Sequence, residues 1–126
     1  MGPEGGLPHG LVVLVVEDEF LIAMDLEVML KDHGWHVLGP AATVVEALSL
    51  LKDGETPDVA LLDVNLKGET VVPVAEVLRE RDVPIVLASA YDQAGSIADV
   101  LAEVPNVGKP TQERQLLAAL KRAVEK

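Results

Sequence analysis

The sequence predicts an α/β domain built on a doubly wound parallel sheet of five strands, and three observations lead to that fold class. Aliphatic runs of strand length alternate five times with longer segments of helical periodicity. The runs lack polar alternation, which is typical of strands buried on both faces. The connections are short, so right-handed crossover helices are expected on both faces of the sheet.

Five segments have the length and composition of strands. The first, LVVLVV at 11–16, is a continuous aliphatic run enriched in β-branched residues. The third, VALLD at 59–63, follows a Pro-Asp pair and is also almost wholly aliphatic. The other predicted strands are WHVLG at 35–39, VPIVLAS at 83–89 and a minimal NVG at 106–108.

The first predicted helix, FLIAMDLEVMLKDHG at 20–34, follows the acidic stretch EDE. Gly34 is its expected end, and its apolar residues recur at the spacing of one helical face. The residues on that face are Ile22, Leu26, Met29 and Leu30. Phe20 and Met24 lie one turn apart elsewhere on the helix, so they are expected outside the core.

The remaining helices are predicted from their caps and periodicity. The second, TVVEALSLLKDG at 43–54, opens with a capping box of Thr43 and Glu46. Pro73 belongs in the first turn of the third helix, and Thr111 is the expected cap of the fifth. The third, fourth and fifth helices are ETVVPVAEVLRERD at 69–82, DQAGSIADVLAE at 92–103 and TQERQLLAALKRAVEK at 111–126.

Five strands connected in this way favour the order 2-1-3-4-5, the flavodoxin-like (βα)5 arrangement. Ligands bind to such sheets beyond the carboxyl ends of the strands, at the switch point between strands one and three. The residues at the ends of strands one, three, four and five are Glu17 with Asp18, Asp63, Ser89 and Lys109, respectively. We therefore expect these side chains to lie together at one edge.

Composition narrows the classes of function. The formal net charge of −11 argues against direct binding to nucleic acid, which depends on Lys and Arg. The chain has no cysteine, so disulfides and thiolate metal sites are excluded. No apolar run reaches the roughly 18 residues of a membrane span, and the Gly- and Pro-rich start is unlike a signal peptide. We expect a cytoplasmic protein with a flexible leader at 1–10 and one domain at 11–126.

Three carboxylates at close range repel one another, so their predicted convergence indicates a bound cation. Hard oxygen ligands favour Mg²⁺, with Mn²⁺ as an alternative. With a Ser89 hydroxyl and a Lys109 ammonium nearby, the same edge suits a phosphoryl group, and Asp63 is the expected nucleophile. Alone, Asp63 would be interpreted as a helix cap, and Glu17 with Asp18 as an acidic first turn. Their coincidence at strand ends indicates chemistry.

Over residues 11–126 this pattern resembles the receiver domain of two-component response regulators. The matching residues are Glu17, Asp18, Asp63, Ser89, Lys109 and Pro110. The resemblance implies that Asp63 accepts a phosphoryl group from a histidine kinase or a phosphotransfer protein, and that the protein is a switch rather than a turnover enzyme. Ser89 and Lys109 would bind the phosphoryl oxygens, and the Lys109–Pro110 peptide bond would be cis.

The resemblance also implies a set of ligands for Mg²⁺. The carboxylates of Asp18 and Asp63 would bind the ion directly. Glu17 would act through a water molecule, and Asn65 would offer its backbone carbonyl.

A narrower resemblance is to single-domain receivers of the FAT GUY type, which carry Phe-Ala-Thr-Gly-Tyr-like residues after the fourth strand. Residues 87–91 read LASAY, which keeps the Ala and the Tyr and replaces Thr with Ser. Most receivers have a Tyr or Phe three residues before the lysine, where this chain has Asn106, so rotation of that aromatic side chain cannot occur. We hypothesise that Tyr91 takes over part of that role or shields the acyl phosphate from water.

Output is expected through contact with a downstream protein, because no further segment follows the fifth predicted helix. Phe20 and Met24 are candidates for docking to a kinase.

Two alternatives remain open: an unphosphorylated receiver that acts as an interaction module, and a phosphatase of the haloacid dehalogenase type. The phosphatase would require a second Asp where Asn65 stands. A flavodoxin-like cofactor binder would require a phosphate-binding loop in place of EDE.

Overall fold

The computed structural model describes residues 10–52, 56–66, 69–89, 104–109 and 111–125. The strands in these ranges are β1 (Val12–Val16), β2 (His36–Ala41), β3 (Val59–Leu62), β4 (Asn65–Leu66), β5 (Glu69–Thr70) and β6 (Ile85–Leu87). The helices are α1 (Phe20–Asp32), α2 (Val44–Lys52), α3 (Val72–Glu80) and α4 (Glu113–Val124). The fourth predicted helix and nearly all of the predicted leader lie outside the described residues.

Four parallel strands form the main sheet in the order β2-β1-β3-β6, which confirms the α/β fold class. In terms of the predicted strands this order is 2-1-3-4. The predicted fifth strand is reduced, in the part of the chain that the structure describes, to one parallel bridge between Leu87 and Asn106. The pairing stops there because Gly108, at φ 78°, turns the chain out of the extended conformation.

The central strands are buried on both faces, as their aliphatic composition predicts. Val13 and Val15 pack on one side with buried leucines of α1 and α4. Leu14 and Val16 point to the other side, where buried residues of α2 and α3 cover them. This two-sided burial holds the carboxyl ends of β1 and β3 next to each other. None of the helices in the described ranges has the length and apolar character that a membrane crossing requires.

Two predicted helix starts have different outcomes. At α2, the Thr43 hydroxyl accepts a hydrogen bond from Glu46 N (3.1 Å), and the Glu46 carboxylate accepts one from Ala42 N (2.7 Å). This reciprocal pairing is close to the predicted capping box. The predicted Thr111 cap is wrong: α4 begins at Glu113, and the Thr111 hydroxyl instead donates to the carbonyl of Gly108 at 2.9 Å.

The start of α3 was predicted too early. The residues expected to form its first turn, Glu69–Thr70, instead pair with Asn65–Leu66 in a two-stranded antiparallel ladder. Val71 N donates to the carbonyl of Val64 at 3.1 Å and closes this hairpin, so the helix begins only at Val72. Pro in the first turn of α3 is confirmed.

Leu30 and Leu21 offer a matched test of the buried face of α1. Leu30 is fully buried, whereas Leu21 is 72% exposed. We expect Leu30→Ala to lower the free energy of unfolding by about 3 kcal/mol, because buried methyl groups and their packing are lost. Leu21→Ala should change it by less than about 0.5 kcal/mol. Urea denaturation followed by circular dichroism measures both, and equal losses would contradict this assignment of the buried face.

Candidate functional site

Backbone pairing continues one residue beyond the ends of β1 and β3. Glu17 N donates to the carbonyl of Ala41 and Asp63 N donates to the carbonyl of Val16, each at 2.9 Å. Since Val16 is in register with Leu62, the next residues, Glu17 and Asp63, lie side by side at the carboxyl edge of the sheet. The first and third strand ends are therefore neighbours, as the switch point requires.

Three carboxylates meet at this edge. Glu17 and Asp63 are almost completely buried, at 2% and 3% exposure, and Asp18 is partly buried. One oxygen from each of the three side chains lies within 4.8 Å of the others. Burial of acidic groups at such distances is unfavourable unless positive charge is close by.

Lys109 supplies positive charge between two of these acids. Its Nζ donates hydrogen bonds to Glu17 Oε2 at 3.1 Å and to Asp63 Oδ2 at 3.0 Å. Glu17 Oε1 also lies 3.1 Å from Nζ, but it is buried and accepts no hydrogen bond from the described residues. Glu17 Oε2 accepts a second bond, from Glu19 N at 3.1 Å. The charge of Lys109 is thus close to Oε1, although its hydrogen bonds go to Glu17 Oε2 and to Asp63.

The pKa values of Glu17 and Lys109 reflect this crowding. Burial raises the pKa of Glu17 to about 7, although bonds from Glu19 N and Lys109 act in the opposite direction. Burial alone would lower the pKa of Lys109, but hydrogen bonds to Asp63 and Glu17 outweigh it and raise that pKa above its ordinary value. Lys109 is therefore charged at neutral pH, while the carboxylate form of Glu17 is disfavoured.

Ser89 also contacts Asp63. Its hydroxyl donates to Asp63 Oδ1 at 2.9 Å and accepts a hydrogen bond from Val64 N at 2.7 Å, and the residue is fully buried. Asp63 thus has a hydroxyl donor on one oxygen and an ammonium donor on the other. Both donors are the kind that stabilise negative charge on oxygen.

The donor set fits a divalent cation. With all three acids ionised, the three carboxylates and one ammonium carry a formal charge of −2. The unbonded Glu17 Oε1 is an oxygen that a cation or its bound water would satisfy. Hard oxygen ligands of this kind favour Mg²⁺ or Mn²⁺ over softer metals.

The remaining predicted site residues are placed as follows. Asn65 begins β4, two residues beyond Asp63, and its backbone pairs with Thr70. Phe20 and Met24 lie on α1, at 73% and 44% exposure. Tyr91 and Pro110 lie outside the described residues, as does the predicted cis peptide bond.

Asn106 contacts the site through its side-chain oxygen, a contact that was not predicted from the sequence. Its Oδ1 accepts hydrogen bonds from Ser89 N at 3.1 Å and from Gly108 N at 2.9 Å. From the sequence alone, Asn106 stands out because an aromatic residue is absent at its position. Its short polar side chain, two residues before a glycine and three residues before Lys109, is a sequence signal for a hydrogen-bonding role.

A family model described as the response regulator receiver domain matches residues 13–121. The chain belongs to the response regulator receiver domain family. The phyllosphere-induced regulator PhyR of Methylorubrum extorquens is 29% identical over 114 residues, which cover 89% of this chain and 43% of PhyR. The transcriptional regulatory protein PdtaR of Mycobacterium tuberculosis is 31% identical over 121 residues, which cover 90% and 57%. The chain thus spans about half the length of these relatives.

Solved structures show the same similarity to receiver domains. The PhyR response regulator REC domain of Erythrobacter litoralis superposes with a TM-score of 0.81 at 29% identity, covering 93% of this receiver and 92% of that chain. PhyR of Brucella abortus gives 0.77 at 30% identity, covering 92% and 48%. The fold and the family expected from the sequence are therefore confirmed. The narrower FAT GUY assignment stays a prediction.

The pKa of Glu17 predicts a pH dependence of stability in metal-free buffer. The folded-state pKa of about 7 lies above the ordinary value of 4.5, so the folded state retains a proton that the unfolded chain releases. The contribution of Glu17 to the free energy of unfolding is fully present below pH 4.5 and is lost as the pH rises to about 7. With EDTA present, the free energy of unfolding should fall over this range less steeply for Glu17→Gln than for the wild type. The exposed Glu19→Gln is the control and should keep the wild-type slope.

Proposed function

We propose that this receiver accepts a phosphoryl group on Asp63 from a histidine kinase or a phosphotransfer protein and signals through protein contacts. The main support is the pair of donors on the buried Asp63 carboxylate, with Ser89 on Oδ1 and Lys109 on Oδ2. A carboxylate that served only as a helix cap would not need an ammonium held against it by partial burial. The domain limits, with a leader at 1–10 and the receiver at 11–126, and a cytoplasmic location belong to the same proposal.

The proposed transfer is an in-line displacement. A carboxylate oxygen of Asp63 attacks the phosphorus of a phosphohistidine, the phosphorus–nitrogen bond breaks, and the imidazole retains or gains a proton as it leaves. Lys109 Nζ offers positive charge to the phosphoryl oxygens, and the Ser89 hydroxyl offers a hydrogen bond. The product is a mixed anhydride that water hydrolyses, so the protein acts as a timed switch on its own modification rather than as a turnover enzyme.

Mg²⁺ is the proposed cofactor, and Mn²⁺ is an alternative. Asp18 and Asp63 would bind it directly, Glu17 through a water molecule, and Asn65 through its backbone carbonyl. When bound, the cation supplies neutralisation of the phosphoryl charge. The buried Glu17 Oε1, which lacks a hydrogen bond from the described residues, supports this arrangement.

The start of α1 is the proposed contact for the phosphodonor protein. Phe20 is 73% exposed and lies only two residues beyond Asp18, so a protein that brings phosphohistidine to Asp63 will approach it closely. Met24, one turn further along, is 44% exposed. Exposed apolar side chains beside a charged site are typical of protein interaction surfaces.

Downstream output is proposed to be binding of a target protein rather than of nucleic acid, because the net charge is −11. Tyr91, as a shield or switch near the acyl phosphate, stays part of the proposal. The complete set of acids, hydroxyl and ammonium disfavours a plain interaction module, which would not need it.

Asp63→Asn tests the acceptor. With acetyl phosphate and Mg²⁺, the wild type should gain the mass of one phosphoryl group, and Asp63→Asn should gain none because its amide is a poor nucleophile. Asp58→Asn is the matched control, since Asp58 precedes β3 at the opposite end of the strand and should leave labelling intact. EDTA should suppress labelling of the wild type. Equal labelling of wild type and Asp63→Asn, measured by intact mass, would place the acceptor elsewhere.

A double variant, Phe20→Gln with Met24→Gln, tests the docking surface. Transfer from a histidine kinase or phosphotransfer protein that labels the wild type should slow about tenfold or more, because apolar contact area is lost. Labelling by acetyl phosphate should stay unchanged. Val45→Gln, an exposed apolar position on α2, is the surface control. Equal slowing with both phosphodonors would show that the variant damages the site rather than docking.

A further inference from the structure

We propose that Asn106 is a positioning residue that fixes Ser89 and Lys109 relative to each other, and so determines where both meet Asp63. The proposal rests on the function proposed above, because Asp63 is taken as the acceptor. Its physical basis is one side-chain oxygen, Asn106 Oδ1, that accepts two hydrogen bonds.

The two bonds reach the two segments that carry the phosphoryl-binding groups. Ser89 N donates to Asn106 Oδ1 at 3.1 Å, and Gly108 N donates to the same oxygen at 2.9 Å. Ser89 also donates its hydroxyl to Asp63 Oδ1, and Lys109, next to Gly108, donates to Asp63 Oδ2. These contacts form a closed network: Asn106 binds Ser89, both Ser89 and Lys109 bind Asp63, and Gly108, which precedes Lys109, binds Asn106.

Strand pairing does not provide this link. Between β6 and the segment that carries Asn106, the backbone bonds are Leu87 N to the carbonyl of Pro105 and Val107 N to the carbonyl of Leu87, each 2.8 Å. These bonds lie before Ser89 and before Gly108. The Asn106 side chain therefore accepts hydrogen bonds from the backbone of Ser89 and Gly108, where a longer strand pairing would have supplied backbone acceptors.

The amide nitrogen of Asn106 supports the view that the side-chain oxygen explains the choice of this residue. Nδ2 is buried and has no hydrogen-bond partner among the described residues. A buried donor without a partner is unfavourable, so an apolar side chain would fit this position better if packing were its only role. The two bonds to Oδ1 offset that cost.

Two variants separate the oxygen from the shape of the side chain. Asn106→Leu keeps the branched shape of the side chain, at a larger volume, and removes the acceptor, whereas Asn106→Asp keeps an acceptor oxygen. Amide hydrogen exchange, measured by NMR on the full unphosphorylated chain, reports the two bonds at Ser89 and Gly108. Initial rates of labelling by acetyl phosphate with Mg²⁺ report their effect on Asp63.

We expect Asn106→Leu to speed exchange at both amides about tenfold or more and to slow labelling about tenfold, because misplacement of catalytic groups is costly. Asn106→Asp should keep the protection of both amides and restore most of the labelling rate. Thr111→Val is the control, since the Thr111 hydroxyl binds the Gly108 carbonyl and does not contact Ser89. It should leave Ser89 exchange and the labelling rate near wild type.

Three outcomes would overturn the proposal: wild-type exchange and labelling in Asn106→Leu, equal losses in Asn106→Leu and Thr111→Val, or no rescue by Asn106→Asp. If Asn106→Leu does not fold, Asn106→Ala replaces it. If acetyl phosphate never labels the wild type, the proposed function is wrong. The hydrogen-exchange rates would still show whether Asn106 links the segments that carry Ser89 and Gly108.

Discussion

The ion pairs of Lys109 with Glu17 and Asp63 are the interactions on which the site depends. They join residues 92 and 46 positions apart in the chain, and so tie the segment before α4 to the ends of β1 and β3. Without the ammonium, two nearly buried carboxylates would face each other across adjacent strands. The raised pKa of Glu17 shows that the ammonium does not fully offset the cost of burying this carboxylate.

The sheet makes that arrangement rigid. Helices cover both of its faces, so the strand ends are supported by close packing rather than by loops alone. The β4–β5 hairpin begins two residues after Asp63, and the bond from Val64 N to the Ser89 hydroxyl joins the same connection to the end of β6. Asp63 is thereby held in place on either side along the chain, as a site that relies on positioning requires.

Much of this could be predicted from the sequence because topology determines which strand ends are neighbours. The aliphatic runs of β1 and β3 have no polar interruption, and the meeting of Glu17, Asp63 and Lys109 follows from the strand order. The hairpin could not be predicted, because strands of two residues have no periodicity to detect. A hydrogen-bonding role for Asn106 could be predicted, but its partners could not, since they depend on an amide 17 residues away and on the turn at Gly108.

The exposed apolar residues of α1 extend beyond the two that were expected. Leu21 and Val28 are exposed as well, at 72% and 55%, so the stripe from Phe20 to Val28 covers about 12 Å of helix at 1.5 Å per residue. Its members lie on the solvent side of a helix whose inner face packs the core, and they make none of the polar contacts around Asp63. On the docking role proposed above, substitutions along this stripe would alter the choice of partner while the chemistry stays the same, so that recognition and reactivity would be free to evolve separately.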